Sequence, residues 1–166
     1  MPSSPHVLLA APNVRKMQAN LTHLLSPASN AAIEAALTQS VIQLYRLGRN
    51  HYLFARRQNN RDWRQKISRY YYGAYNVSRS VRLCNNGDYS ADSTDHKKIE
   101  TLPSGFPNIA SYQNQLSALR EDRNLCDYDH TSSIGILALG LLTTQVLVAD
   151  FIADARTFLV AKGITP

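Results

Sequence analysis

Residues 62–87 read DWRQKISRYYYGAYNVSRSVRLCNNG, and this stretch decides the fold. Its apolar side chains are Trp63, Ile67, Tyr70, Tyr71, Ala74, Val77, Val81 and Leu83, spaced mostly by three and four. That spacing follows the 3.6-residue helical turn and lines them up as one broad stripe. Asp62 is placed to cap the helix start. Asn85-Asn86-Gly87 is placed to end it, because glycine enters the left-handed conformation that stops a helix. Nothing in the chain alternates in the way a half-buried strand does.

Upstream, Ile33, Leu37, Val41, Leu44, Leu47 and Tyr52 step along one face of an earlier helix. Ser29 or Asn30 can cap it, Gly48 weakens it without ending it, and Asn59-Asn60 closes it. Before it, residues 1–28 are rich in Pro and Ser and read as a loosely ordered segment, with a short helix over Val14 to Leu25. Downstream, residues 88–107 form a long connection with room for a short helix near Asp95 to Thr101; connections this long are more often functional than idle. A third helix is expected from about Asn108 to Asp127, with Ile109, Tyr112, Leu116, Leu119 and Cys126 inward. A fourth is expected from about Ser132 to Lys162, with Ser133 as cap and Gly163 as stop. The expectation is an all-α protein: one domain over 29–166, an up-and-down four-helix bundle with an extra short helix in the crossover.

A chain of 166 residues buries enough surface to need no disulfide framework, so Cys84 and Cys126 read as free thiols. The start carries no basic residue before a short apolar run, unlike a signal peptide. Ile134 to Ala149 is apolar but broken by Thr143, Thr144 and Gln145, short of the roughly 18–20 residues a membrane span needs. A cytoplasmic protein without a membrane partner is expected. Net charge is +6, and ten of the basic residues fall between Arg46 and Arg82, where Asp62 is the only acid. Such a field attracts polyanions, RNA or DNA above all; a solvated helix face accounts for it equally well. On the second helix the candidate RNA contacts are Arg64, Lys66, Arg69, Arg79 and Arg82. Tyr71 and Tyr75 read as core residues with wet hydroxyls. His6, His23 and His51 show no metal-ligand spacing, and no phosphate loop or Cys-x-x-Cys occurs, so no cofactor and no metal is expected.

The most polar patch beside an apolar face is Arg120-Glu121-Asp122-Arg123-Asn124-Leu125-Cys126-Asp127-Tyr128-Asp129-His130. On an unbroken helix Arg123 and His130 stand two turns, about 10 Å, apart on one face, with Asp127 between them. Arg could then clamp a phosphodiester while His moves a proton. The plainer account is an i,i+4 salt bridge between Arg123 and Asp127, with His130 near the helix C-terminus. His96, in the crossover among Asp92, Asp95, Lys97 and Lys98, reads as a surface residue.

Three features together resemble the HEPN superfamily over about residues 29–160. They are the stretch Arg69 to Arg79, the crossover Asp95-His96-Lys97-Lys98-Ile99 with Leu102-Pro103, and Arg123-Asn124 followed by Asp127-Tyr128 and His130. The Arg-x6-His spacing resembles that family's Arg-x4-6-His motif. The resemblance implies a metal-independent endoribonuclease acting as a homodimer, with Arg123 and His130 catalytic, Asn124 in support, and RNA as substrate. It also implies a toxin or anti-phage defence effector, with an antitoxin or regulatory partner. Asp127 joins the set from helical geometry alone. The branch of toxins paired with a minimal nucleotidyltransferase carries Arg-x4-His-x-Tyr; here the spacing is six and Ser132 stands two residues after His130, which argues against control by tyrosine modification. Many members of the superfamily lack the His, so the alternative is a non-catalytic module binding nucleic acid, a nucleotide or a partner protein.

Overall fold

The computed structural model describes residues 11–90 and 92–166. It is all-helical, with no strand among the described residues. Among the described residues five α-helices follow in order: α1 (Val14–Asn20), α2 (Pro27–Arg57), α3 (Trp63–Asn86), α4 (Ile109–Tyr128) and α5 (Leu141–Ala161). Short 3-10 turns occupy Asn60–Asp62, Ser93–Lys98 and Ile134–Ile136. One hydrophobic core runs through all five helices and the crossover. No helix among the described residues is long and apolar enough to cross a membrane.

The central element is α3, which packs against α1, α2, α4 and α5. Its whole expected stripe is buried except Trp63, which is partly so. Because neighbours surround it, polar residues on its other faces are buried as well, and each finds a partner, as burial demands. Ser78 donates to the Ile99 carbonyl at 2.8 Å and Ser80 to the Val41 carbonyl at 2.8 Å. Asp62 makes no side-chain cap bond; Asn59 does the capping one turn earlier, on the Arg61 amide. Gly87 ends the helix as expected, at φ +69°.

α2 starts earlier than the expected Ser29 or Asn30, at Pro27, because Ser26 caps it by accepting from the Ser29 amide at 3.1 Å. Its inward face is also turned. The buried positions are Ile33, Leu37, Val41, Tyr45, Gly48 and Ala55, while Leu47 stands 46% exposed. The seam runs through Gly48, so the backbones of α2 and α3 touch there.

The N-terminal segment is not loose where it is described; its first ten residues lie outside the described ones. Asn13 caps α1 by accepting from the Lys16 amide at 2.8 Å. Val14 is fully buried and its amide donates to the Gly87 carbonyl at 3.0 Å, while Arg15 Nε donates to the Cys84 carbonyl. A Cβ on Gly87 would lie 2.6 Å from the Arg15 amide nitrogen, in a backbone conformation that side chains disfavour. Gly87→Ala is therefore expected to cost about 1–2 kcal/mol and to loosen α1. A thermal melt, with limited proteolysis of residues 13–25, reads both effects.

The fourth long helix begins at Leu141 rather than near Ser132. The cause is Asp122, buried on α4, whose carboxylate accepts from the amides of Ala138 and Leu139 at 2.7 and 2.8 Å. Those amides are held outside any helix. Cys84 and Cys126 are buried free thiols, and burial pushes the Cys126 thiol up to about 12.

Candidate active site

α4 does not reach His130. It ends at Tyr128, and Asp129 is extended at φ −104°, ψ 97°. Two things stop it. The Asp129 carboxylate accepts from the Thr131 amide, the Thr131 hydroxyl and the Ser132 hydroxyl, an Asx turn that competes with helix. Those bonds hold the carboxyl well below the usual carboxylate range. Meanwhile Arg64 reaches from α3 to the end of α4 and the turn after it, donating to the carbonyls of Leu125 and Cys126 in the helix and of Asp129 and Ser132 beyond it. The single helical face expected for Arg123, Asp127 and His130 thus holds for the first two only. His130 stands exposed after the break.

Arg123 sits at one wall of a cleft of about 730 Å³, lined also by Tyr71, His96, Arg120, Asn124 and Tyr128. Its guanidinium is fixed from three sides. Nη2 donates to the Tyr72 hydroxyl at 2.9 Å, Nη1 to Asn124 Oδ1 at 3.2 Å, and Nε is 2.7 Å from Asp127 Oδ2. Ser68 in turn donates to Asp127. The rings of Tyr71, Tyr72 and Tyr128 lie 5.3–5.5 Å from its central carbon. Burial works against its charge, but the Tyr72 hydrogen bond and the Asp127 carboxylate outweigh it, so the group stays cationic. Each terminal nitrogen carries a second N–H that has no partner among the described residues, and two such donors suit a phosphate. The expected grouping of Arg123, Asn124 and Asp127 is therefore present, with Asn124 and Asp127 as orienting groups.

The residue that sequence reasoning placed on the surface, His96, lines the same cleft as Arg123. Its neighbour Asp95 is buried and held by Arg82, which donates to its two oxygens at 3.0 and 2.8 Å, and by the Tyr75 hydroxyl at 3.1 Å. Burial opposes the Asp95 charge, yet the Arg82 hydrogen bonds prevail and hold its carboxyl below the usual value. With Asp95 anchored inward, the next side chain is set into the cleft. The His96 ring stacks on Tyr75 with centroids 4.2 Å apart and planes 19° apart, and Nδ1 is 2.8 Å from the Tyr71 hydroxyl. Burial, then the Arg123 charge, lowers its pKa below the ordinary imidazole value, so it is neutral at neutral pH. The Tyr71 and Tyr75 hydroxyls are not wet as expected but bound to His96 and Asp95.

The basic helix α3 does not form an open RNA face. Arg82 is 2% exposed and ion-paired, and Lys66 is buried against Asn60 Oδ1 and the Gln58 carbonyl. Arg64 is spent on the end of α4, and Arg79 on the Ser90 carbonyl at 2.7 Å. Arg69 is half-buried beside His51 and over Phe54, lining a small separate cleft with Leu47 and Asn50. The physical reason is the central place of α3, where cations are consumed by internal carbonyls and carboxylates. The exposed cations of this stretch are Arg46, Arg49, Arg56, Arg57 and Arg61, on and just after α2. No group of three or more His, Cys, Asp or Glu side chains among the described residues is arranged to hold a metal.

Compared with family models, curated proteins and solved structures, the chain matches none.

Proposed function

We propose that this protein is a metal-independent endoribonuclease of the HEPN type, its long helices running up and down as a four-helix bundle and two copies forming the working dimer. The observation that carries the reading is Arg123, oriented by Tyr72, Asn124 and Asp127 and opening into an aromatic cleft that also holds an imidazole. In this reading Arg123 grips the scissile phosphate and stabilises the charge that develops on it. Tyr128, 74% exposed beside that guanidinium, is a platform for a nucleobase. Lys97 adds positive charge at the cleft, while Arg120 is ion-paired there with Glu100 and Glu121. His130, on the exposed turn after α4, is the proton carrier that the family resemblance assigns. The ribose 2′-OH as nucleophile restricts the substrate to RNA. A cytoplasmic toxin or defence effector, silenced by an antitoxin or other regulatory partner, is the biological setting that the resemblance suggests.

The test is cleavage of a labelled RNA pool by wild type, Arg123→Ala and His130→Ala in excess EDTA. Wild type is expected to cut, and Arg123→Ala to lose about 10²–10³-fold in rate, the loss typical of removing a donor to a developing anion. Light scattering is expected to give a dimer. The position of His130 beyond the helix break favours one other reading, a non-catalytic module that binds RNA in the same cleft. Salt-sensitive binding by wild type without any cleavage would establish that reading instead.

A further inference from the structure

Cleavage of RNA through the 2′-OH moves two protons, one off the attacking hydroxyl and one onto the leaving oxygen. The Arg-x6-His motif supplies one imidazole. The cleft holds another, His96, which the motif does not include.

We propose that His96 is the general base that removes the 2′-OH proton from RNA bound at Arg123. The assignment rests on the ribonuclease reading above. Three features support it. The ring is fixed, stacked 4.2 Å from Tyr75 and tied through Nδ1 to the Tyr71 hydroxyl at 2.8 Å. Its backbone is fixed too, because Asp95 is locked into the interior by Arg82 and Tyr75. And Nε2 has no hydrogen-bond partner among the described residues, while it belongs to a side chain lining the same cleft as Arg123. A base held this way needs no rearrangement when substrate arrives.

The tautomer follows from the role. Nδ1–H donates to the Tyr71 oxygen, which leaves the lone pair on Nε2. The 2′-O–H proton passes to Nε2, the 2′-oxygen bonds to phosphorus, and the bond from phosphorus to the 5′-oxygen breaks. The departing 5′-oxygen takes a proton from water, or from His130, which then regains one from water. The products are a 2′,3′-cyclic phosphate and a 5′-hydroxyl, and His96 then returns its proton to water. No co-reactant is consumed.

The experiment compares wild type, His96→Ala and His96→Gln on a labelled single-stranded RNA in EDTA, with and without added imidazole. The wild-type product is expected to end in a cyclic phosphate. His96→Ala is expected to lose about 10²–10⁴-fold in kcat/KM while RNA affinity stays near that of wild type, and imidazole is expected to restore part of the rate. His96→Gln, which keeps a polar side chain against Tyr71, is expected to lose cleavage equally; it serves as the informative variant if the alanine protein melts early. Cleavage by His96→Ala or His96→Gln at the wild-type rate overturns the assignment and leaves the ribonuclease reading standing. A loss that imidazole does not restore, accompanied by lost RNA affinity, also overturns it, by making His96 a packing residue. Absence of cleavage by wild type overturns the ribonuclease reading and the assignment with it.

Discussion

Arg82→Met is expected to destabilise the protein by about 3 kcal/mol or more, the range found when one partner of a buried ion pair is removed. For a chain of this size that corresponds to a fall in Tm of roughly 6–12 °C. Methionine fills much of the same volume, so the loss is one of charge compensation more than of packing. Asp95 is 1% exposed and accepts both of its strongest contacts from Arg82. After the substitution it retains the Tyr75 hydroxyl and longer approaches from Arg79 at 3.5 Å and Lys98 at 3.8 Å. The pH dependence has a definite sign. In wild type the Asp95 pKa is depressed by folding, so its contribution is present above the ordinary carboxylate value and is lost as pH falls through the depressed one. In the variant the carboxyl keeps only these weaker partners, so burial pushes it up relative to wild type and the protein recovers relative stability as acid protonates it. The gap in Tm between the two proteins is therefore expected to narrow from pH 7 towards pH 4. A gap that stays constant across that range would show that charge burial is not the cause. The same variant is expected to displace His96, since the turn that carries it has lost its anchor.

Gly48→Ala is the second large effect, and its direction runs against helix propensity. Alanine is the better helix former by about 1 kcal/mol at an open position. Here its Cβ would lie 2.6 Å from the Gly73 carbonyl oxygen, 2.7 Å from Val77 Cγ2 and 3.0 Å from the Val77 amide nitrogen. Two of those three atoms are backbone and cannot rotate away, so α2 must move off α3. Overpacking of this kind costs about 1–3 kcal/mol or somewhat more, and a net loss of roughly 2 kcal/mol is expected after the propensity gain. Gly73→Ala is a built-in comparison. Its Cβ would meet the Gly48 carbonyl at 3.2 Å, a contact that a small shift relieves. Urea melts should rank Gly48→Ala well below Gly73→Ala, and equal stabilities would mean the helices can part without penalty.

Much of the scaffold was legible from periodicity. The stripe from Trp63 to Leu83 marks α3 because a central helix must bury apolar residues on most of its turns. Gly87 marks its end because the stop is local chemistry. Legibility failed wherever the deciding partner is distant in sequence. The choice of Tyr45 and Gly48 over Leu44 and Leu47 as the inner face of α2 depends on Gly73, in the facing helix. The late start of α5 depends on Asp122, sixteen residues before the amide of Ala138 that it captures. The end of α4 had a local sign, Asp129 two residues before Thr131, which is an Asx-turn pattern; the carbonyl clamp by Arg64 had none.

The candidate site divides along the same line. Arg123, Asn124 and Asp127 come together because they share one helix, so spacing alone sufficed. His96 was passed over because its position depends on Arg82 holding Asp95, a contact between α3 and the crossover. Charge density misled in the opposite way. A count of arginines cannot distinguish those that meet solvent from those that meet carbonyls, and in α3 the buried Arg82 and the clamping Arg64 are of the second kind.

Asp95 and His96 are adjacent residues with opposite surroundings, one locked in the interior and the other lining the cleft. Substitution therefore meets two different filters at neighbouring codons. If the proposed function holds, a lineage that abandons chemistry while keeping the domain would be free to change the second residue but held to the first. Descendants that retain Asp beside Arg82 yet have lost the imidazole would be recognisable as scaffolds, whereas loss of both together would mark a chain that has rebuilt its crossover. On that reading the dipeptide would record, in two letters, whether a relative still needs the cleft or only the fold.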